Sequence, residues 1–382
     1  MTESTDTSLR KATYKELIAC QFSSWYPKFR ALNKHSEKVY PKNNVTIRSK
    51  IISPLPHEFI EYLKSDGVVL PRGAEKLSSC IPENVDDWST DDEHEHQEED
   101  DDDEQHEELA YFPELNRQIE EILETLGPVM PKLNWSAPRD VSWLNESTLK
   151  CSTLGDVYLL LKSSDFCMFD LDHALDDIDL PSEEDPKVEH ELVLRKWSNL
   201  HASMEFRCFV SRHELIAICQ RNHTEHYPHL KKEYMEIRSL VMDFFDEYIQ
   251  HNYADGEIEN YIFDIYVDKS QRVWLLDFNL FSERTDALLF TWREINSLHN
   301  GLTLAEDGDE EEESKSKDEV DVIDCDNTKP IMRVVMNEYD VQFDPLASYR
   351  APIDTVDLAS DKAGTQTFKE FMEMCQKPSE MD

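Results

Sequence analysis

The amino-acid sequence predicts an α+β fold in which antiparallel sheets are covered by helices. Three observations carry that reading. Residues 229–251 space Ile237, Leu240, Val241, Phe244, Phe245 and Ile249 along one helical face. Two stretches, 261–268 and 272–281, alternate with strand period and are joined by a short polar turn. Three further strand-like runs, 191–197, 205–210 and 215–220, follow one another closely, an order that suits antiparallel neighbours.

The remaining elements follow in chain order. Residues 1–19 are polar and are expected to be partly loose. An aromatic-rich stretch at 20–30 (CQFSSWYPKFR) leads into a basic loop that runs to Lys50. Residues 50–66 read as a proline-bounded turn feeding a helix whose apolar face is Phe59, Ile60, Tyr62 and Leu63. Gly67 ends that helix, and 68–71 reads as a short strand. A helix over 108–126 carries Leu115, Ile119, Ile122 and Leu123 and stops at Gly127-Pro128. From 129 to 160 the pattern is strand, turn, helix, within which 157–161 reads as an apolar strand ending in Lys162. Residues 171–186 are acidic and loop-like. A helix is expected over 291–298 and a last strand over 332–336, and no internal repeat is present.

With 382 residues, 39 % of them apolar and seven of them tryptophan, the chain can build a full core. Its net charge of −42 is concentrated in 91–108 and 306–326, runs expected to be solvated. Such charge repels nucleic acid and anionic lipid, so neither is expected as a direct partner, and a basic protein surface is the natural complement. The eight cysteines, at 20, 80, 151, 167, 208, 219, 325 and 375, fall singly, which favours reduced thiols over a disulfide framework or a zinc site. Neither a signal-like apolar start nor a membrane-length apolar run occurs, so the chain is expected to stay inside the cell and off the membrane. The expected organisation is an N-terminal, partner-contacting region (1–89) and an acidic insert read as disordered (90–108). The core (109–300), an acidic flexible segment (301–328), and a C-terminal strand and tail (329–382) follow.

The hairpin at 261–281 carries the chemistry. On its first strand Phe263, Ile265 and Val267 share one face, and Ile262, Asp264 and Tyr266 the other. On the second, Trp274, Leu276, Phe278 and Leu280 face one way, and Leu275, Asp277 and Asn279 the other. A loop of two or four residues sets Asp264 opposite Asp277, and a loop of three breaks that pairing. Like charges directly opposite on a sheet destabilise it. Two carboxylates on an apolar face therefore need a cation, a shared proton or a basic partner. The competing reading has both capping or salt-bridging at strand ends. Asn279 adds a neutral oxygen, and two Asp with one Asn suit a hard cation such as Mg2+ that keeps other positions for water and phosphate. On this reading, removing either aspartate relieves the pair and stabilises the ligand-free fold.

A Walker or Rossmann phosphate site is excluded, because no glycine lies between Gly155 and Gly256. Phosphates would have to meet side-chain cations, of which Lys132, Lys162 and Arg207 are well placed. Taken singly, each reads more simply as a strand-end charge reaching solvent. The strand at 191–197 (ELVLRKW) turns polar at its end, where free backbone groups could read an adenine edge with Leu192 and Leu194 against the ring. An ordinary edge strand explains it as well. Trp135, Trp143 and Trp197 read most simply as core.

Residues 22–292 resemble the cell division cycle protein 123 family, assembly factors for eukaryotic translation initiation factor 2 with an ATP-grasp fold. The resemblance is carried by PKLNWSAPRD (131–140), LLLKSSDF (159–166), ELVLRKW (191–197), EFRCFV (205–210), FDIYVD (263–268) and WLLDFN (274–279). FSSWYPKFR (22–30) and LPHEFIEYLKSDGVVLP (55–71) resemble the family's opening. Leu280 and Ser282 stand where the family pattern has proline and glycine. The resemblance implies an ATP-grasp-like architecture of two lobes and a site for ATP with Mg2+. It implies that Asp264, Asp277 and Asn279 hold the metal and that Lys132, Arg207 and Lys162 meet phosphates. Asn134 and Trp135 would belong to the same site, and Glu191, Leu192, Val193, Leu194 and Arg195 would form the adenine and ribose hinge.

The implied partner is the γ subunit of the initiation factor. Phe22, Trp25, Tyr26 and Phe29 are the expected contact, some facing inward and others outward. The resemblance also implies a cytoplasmic protein, monomeric outside the complex, that acts as a nucleotide-dependent assembly chaperone. An ATP-grasp ligase or kinase acting on a carboxylate or protein substrate is the competing class. Such chemistry uses a glycine-containing loop that closes over the triphosphate. The stretch after Lys162 instead carries Asp170, Asp172, Asp176, Asp177 and Asp179. A histone-chaperone-like acidic protein would explain the charge runs and nothing of the hairpin.

Overall fold

A computed structural model describes residues 10–32, 45–78, 109–181, 186–301, 329–344 and 346–347. The acidic stretches expected at 90–108 and over nearly all of 301–328 lie outside these residues, as does the tail beyond 347. The N-terminal part holds strand β1 (Ala12–Thr13), helices α1 (Tyr14–Cys20) and α2 (Phe22–Leu32), and strand β2 (Ser49–Ile52). Helices α3 (His57–Lys64) and α4 (Pro113–Leu126), strand β3 (Val129–Lys132) and helices α5 (Leu154–Ser163) and α6 (Asp165–Asp172) follow. Strands β4 (Ile178–Asp179), β5 (Leu192–Lys196), β6 (Glu205–Ser211) and β7 (Glu214–Gln220) precede helix α7 (Leu230–Phe244). The hairpin strands β8 (Tyr261–Val267) and β9 (Val273–Asn279), helix α8 (Trp292–His299) and strand β10 (Ile331–Arg333) complete the order. This is the mixed, largely antiparallel α+β architecture that the sequence predicts.

The described residues fall into two compact units that interleave along the chain. One lies within Met1–Ile51, His173–Glu191 and Ser198–Ala347, the other within Ile52–Asp172 and Leu192–Trp197. In the first, five strands run in the order β10-β7-β6-β8-β9, antiparallel except where β10 lies parallel to β7. Helix α7 continues into a π-helical turn, Phe245–Ile249, whose Phe245 ring stacks on Phe263. Residues 14–19, expected to be partly loose, lie in the helix Tyr14–Cys20. Thr13 and Glu16 form a reciprocal capping box there, and Arg10 pairs with Glu16.

Helix α2 corrects the expectation for its aromatics. Phe22, Trp25, Tyr26 and Phe29 are all buried, none more than 7 % exposed. Their spacing of i, i+3, i+4 and i+7 marks a single helical face, so they point one way. That way is inward: Trp25 and Phe29 pack on Phe278 at ring distances of 5.3 and 5.4 Å.

In the second unit β3 pairs antiparallel with β5, Val129 opposite Lys196 and Lys132 opposite Val193. Its core joins Phe59 and Leu63 of α3, Ile119 of α4 and Tyr158 and Leu161 of α5. Residues 157–161 are therefore not a strand. Thr153 and Asp156 cap a helix there, and every residue from Leu154 to Lys162 is buried. A helix buried all round shows no amphipathic period, and a short apolar run of that kind reads equally as a strand. Residues 68–71 form no strand, and the stretch read as an acidic loop begins inside helix α6 and includes β4. Asp140 caps α6, accepting from the Asp165 and Phe166 amides at 2.8 and 3.4 Å.

Helix α5 also approaches the preceding chain closely. A Cβ at Gly155 would stand 2.4 Å from both the Ala74 and Lys76 carbonyl oxygens, which are backbone atoms that cannot swing aside. Gly155→Ala should therefore cost about 2 kcal/mol or more in urea unfolding, the scale of an overpacked core. A loss below about 0.5 kcal/mol would show that the segment 74–77 yields freely.

Candidate functional site

The site is set by the register of the β8–β9 hairpin. The strands meet at Val267 and Val273, which leaves 268–272 in the connection. Asp268 closes it, accepting from the Ser270 and Arg272 amides at 2.8 and 3.0 Å. Strict register from that odd-numbered loop would set Asp264 opposite Leu276. An irregularity beside Ile265 absorbs Leu276, and Asp264 pairs with Asp277. The bulge also exchanges two side chains between faces. Leu275 pairs with Ile265 on the apolar side, and Trp274 pairs with Tyr266 on the side of Asp264, the reverse of the simple alternation.

Strand β6 flanks β8 on its other edge, with Arg207 opposite Asp264 and Glu205 opposite Tyr266. Arg207 grips Asp264 in a planar fork, Nε donating to Oδ1 and Nη2 to Oδ2, both at 2.8 Å. Its Nη1 donates to the Asp286 carbonyl at 2.7 Å. Arg221, just beyond β7, bridges two carboxylates. Its Nε donates to Asp264 Oδ2 at 3.2 Å and its Nη1 to Glu205 Oε2 at 2.9 Å. Asn279 Nδ2 donates to Asp264 Oδ2 at 3.3 Å, and Asp277 Oδ1 accepts from the Phe278 amide at 3.1 Å. Burial works against the charge on Arg221, yet Asp264 and Glu205 raise its pKa above the ordinary arginine value. The same balance, dominated on the stabilising side by Asp264, holds for Arg207.

Of the ways to reconcile facing carboxylates, this arrangement uses the basic partner. Asp264 is 2 % exposed, so its charge is held by guanidinium groups and not by water. Glu205 and Asp264 are held by Arg207 and Arg221, and Asp277 stands opposite Asp264 on the neighbouring strand. Among the described residues no group of three or more His, Cys, Asp or Glu side chains converges on a metal position. A cation on this face would draw on Asp277, Asn279 and Asp264 together with ligand or water oxygens. Such an all-oxygen donor set fits a hard divalent ion.

The other sequence-derived residues lie elsewhere. Lys132 and Asn134 are fully buried in the second unit. There the Trp135 and Ser136 amides and the Ser136 hydroxyl donate to Asp170 at 3.1, 2.7 and 2.8 Å. Burial pushes the Asp170 carboxyl up, while those bonds and the Lys132 charge oppose the shift. Asp170 thus ties the 135–136 turn to α6 and is not part of an acidic loop. Lys162 closes the carbonyl end of α3, donating to the Tyr62, Leu63 and Ser65 carbonyls and to Ser65 Oγ. Burial lowers its pKa to about 8. Leu192, Val193 and Leu194 are wholly buried in β5, and Arg195 nearly so. Glu191, in the first unit, accepts from the Ser23 amide at 2.9 Å and Gln21 Nε2 at 3.0 Å, holding the start of α2.

Sequence reasoning missed Glu205 and Arg221. Glu205 was detectable, since it stands two residues before Arg207 and so shares its face. Arg221 was not, because its reach to Asp264 depends on how β7 docks on β6.

Fold and face together define an α+β protein with a buried, arginine-clamped carboxylate set into an antiparallel sheet. The chain belongs to the D123 family, which residues 25–359 match. A Xenopus tropicalis relative named translation initiation factor eIF2 assembly protein is 39 % identical over 352 residues, covering 91 % of this chain and 92 % of its own. Cell division cycle protein 123 of Candida glabrata is 36 % identical over 296 residues, 75 % of this chain and 78 % of that one. The solved structure of Cdc123 from Schizosaccharomyces pombe is similar at 34 % identity and a TM-score of 0.56, covering 76 % of this chain and 94 % of that chain.

The clamp reverses the expected effect of removing Asp264. Asp264→Ala would leave two guanidiniums without their shared anion, so it should destabilise the chain by about 3–5 kcal/mol in urea unfolding. Unchanged or increased stability would mean that like-charge repulsion with Asp277 dominates.

Proposed function

We propose that this chain is an ATP- and Mg2+-binding assembly factor for translation initiation factor eIF2, with an ATP-grasp-like fold and the γ subunit as its partner in the cytoplasm. The relatives named eIF2 assembly protein and cell division cycle protein 123 support the assembly role. The observation that carries the nucleotide reading is the charged sheet face: Asp264 and Asp277 side by side with Asn279 on one face, set beside an arginine that keeps some access to solvent.

On this reading Asp277, Asn279 and Asp264 hold Mg2+, which when bound neutralises phosphate charge. Arg207 orients Asp264, since all three of its nitrogens are engaged within the face. Arg221, its side chain 22 % exposed, is the cation there best able to turn toward a phosphate. For Lys132, Asn134, Trp135 and the 192–195 strand a nucleotide contact rests on the family resemblance alone, since most of them are buried in the second unit. Lys162 is left out, because its ammonium serves α3. The N-terminal aromatics are core, so the γ-subunit contact is assigned to none of them.

Turnover by a ligase or kinase is the second reading. The burial of Asp170 favours it, since one of the acidic groups expected to repel a triphosphate is internal. Calorimetry with Mg-ATP tests the first reading. Asp277→Ala and Arg221→Ala should each weaken binding by about tenfold or more while the γ subunit is still retained on the purified chain. Parent-like Mg-ATP binding by both variants would remove the nucleotide site from this face. Steady ATP hydrolysis in the presence of the eIF2 subunits would favour the second reading.

A further inference from the structure

Helix α7 and the π turn after it carry a stripe that the fold leaves open. Glu233, Glu236, Leu240, Asp243 and Glu247 recur at intervals of three and four residues and so share one side. That side lines two adjoining hollows in the first unit. The larger, about 450 Å³, lies between α7, residues 201–204 and the end of the β8–β9 hairpin. Met204, Ile237, Leu240, Tyr266 and Val267 give it an apolar floor. The smaller, about 170 Å³, runs past Asp243, Phe244 and Glu247 to Val273 and Trp274. Leu240 and Gln271 line both, so the two form one groove. It follows roughly 20 Å of helix.

The groove is acidic along its length. Glu233, Glu236, Asp243 and Glu247 border it, Glu236 also accepting from Gln271 Nε2 at 2.5 Å. The cations lining it are Lys269 and Arg272, and Arg272 is paired with Asp268 at 2.7 Å and lies over the Trp274 ring. His201 stands at the far end, its Nδ1 bonded to Ser203 Oγ at 2.8 Å. An apolar floor between spaced carboxylates matches a segment that offers aliphatic side chains on one side and long basic ones on its flanks. We infer that this groove docks a lysine- and arginine-rich amphipathic segment of a partner protein. The carboxylates select its charge and register, and the floor holds its apolar side chains. The inference does not rest on nucleotide binding.

A fluorescein-labelled synthetic peptide of about 14 residues, the span of the groove, with leucine on one helical face and lysine or arginine on the other, serves as the probe. Polarisation is measured with the full chain. Combining Glu233→Lys, Asp243→Lys and Glu247→Lys should weaken binding by about tenfold or more. Glu120→Lys, Glu121→Lys and Glu124→Lys on α4 change the net charge equally and should alter it by less than about twofold. Leu240→Ala, which leaves the charge unchanged, should weaken it by roughly fivefold. Equal losses in the two triple variants, or equal binding of a scrambled peptide of the same composition, would overturn the proposal as mere attraction to an acidic chain. Absence of binding to the parent chain would overturn it too. So would displacement of the probe by a peptide of residues 33–44, which would make this chain's own basic segment the occupant.

Discussion

The charged face of the five-stranded sheet depends on how one buried carboxylate is neutralised. Asp264 sits in the middle of β8, between β6 and β9, where water cannot reach it. Arg207 meets it in a bidentate fork and Arg221 adds a third contact, so the two guanidiniums satisfy the buried anion. The neighbouring groups are positioned by that clamp. Arg207 ties the face to the Asp286 carbonyl, Arg221 brings Glu205 alongside, and Asn279 turns its amide nitrogen toward Asp264. Asp277 stands opposite Asp264 and accepts from the Phe278 amide.

That arrangement separates two jobs within what reads, in sequence, as one pair of aspartates. Asp264 is structural, and as a metal ligand it would have to share its oxygens with the two arginines. Asp277, on the bulged strand, is partly exposed and is the one of the pair that solvent reaches. The bulge at Leu276 is what makes both possible: it sets the aspartates side by side and moves Leu275 into the core. Without it Asp277 would face the apolar side, where a charge is costly.

Much of this was legible in the sequence, for physical reasons that differ by element. Period-two alternation identified β8 and β9, and the pair of aspartates on an apolar face singled out the stretch where Asp264 and Asp277 meet. The loop parity that should have ruled on their pairing gave no answer, because a bulge can offset an odd loop. Helix α2 was legible in its spacing, since 22, 25, 26 and 29 can only share one face, yet aromatic richness suggested a contact surface. Helix α5 was not legible, because burial on every side erases the period that separates helix from strand. Lys162 then looked like a strand-end cation, whereas it closes α3. Arg221 and the interleaving of the two units depend on contacts between distant segments, which local composition does not encode.

The most direct test of the carboxylate face as a metal–nucleotide site is anomalous scattering from crystals grown with Mn2+ and a non-hydrolysable ATP analogue. A single Mn2+ peak about 2.1 Å from oxygens of Asp277 and Asn279, with Asp264 completing the protein ligands, is the predicted result. A peak bound elsewhere, or nucleotide density with no metal on this face, would contradict the account.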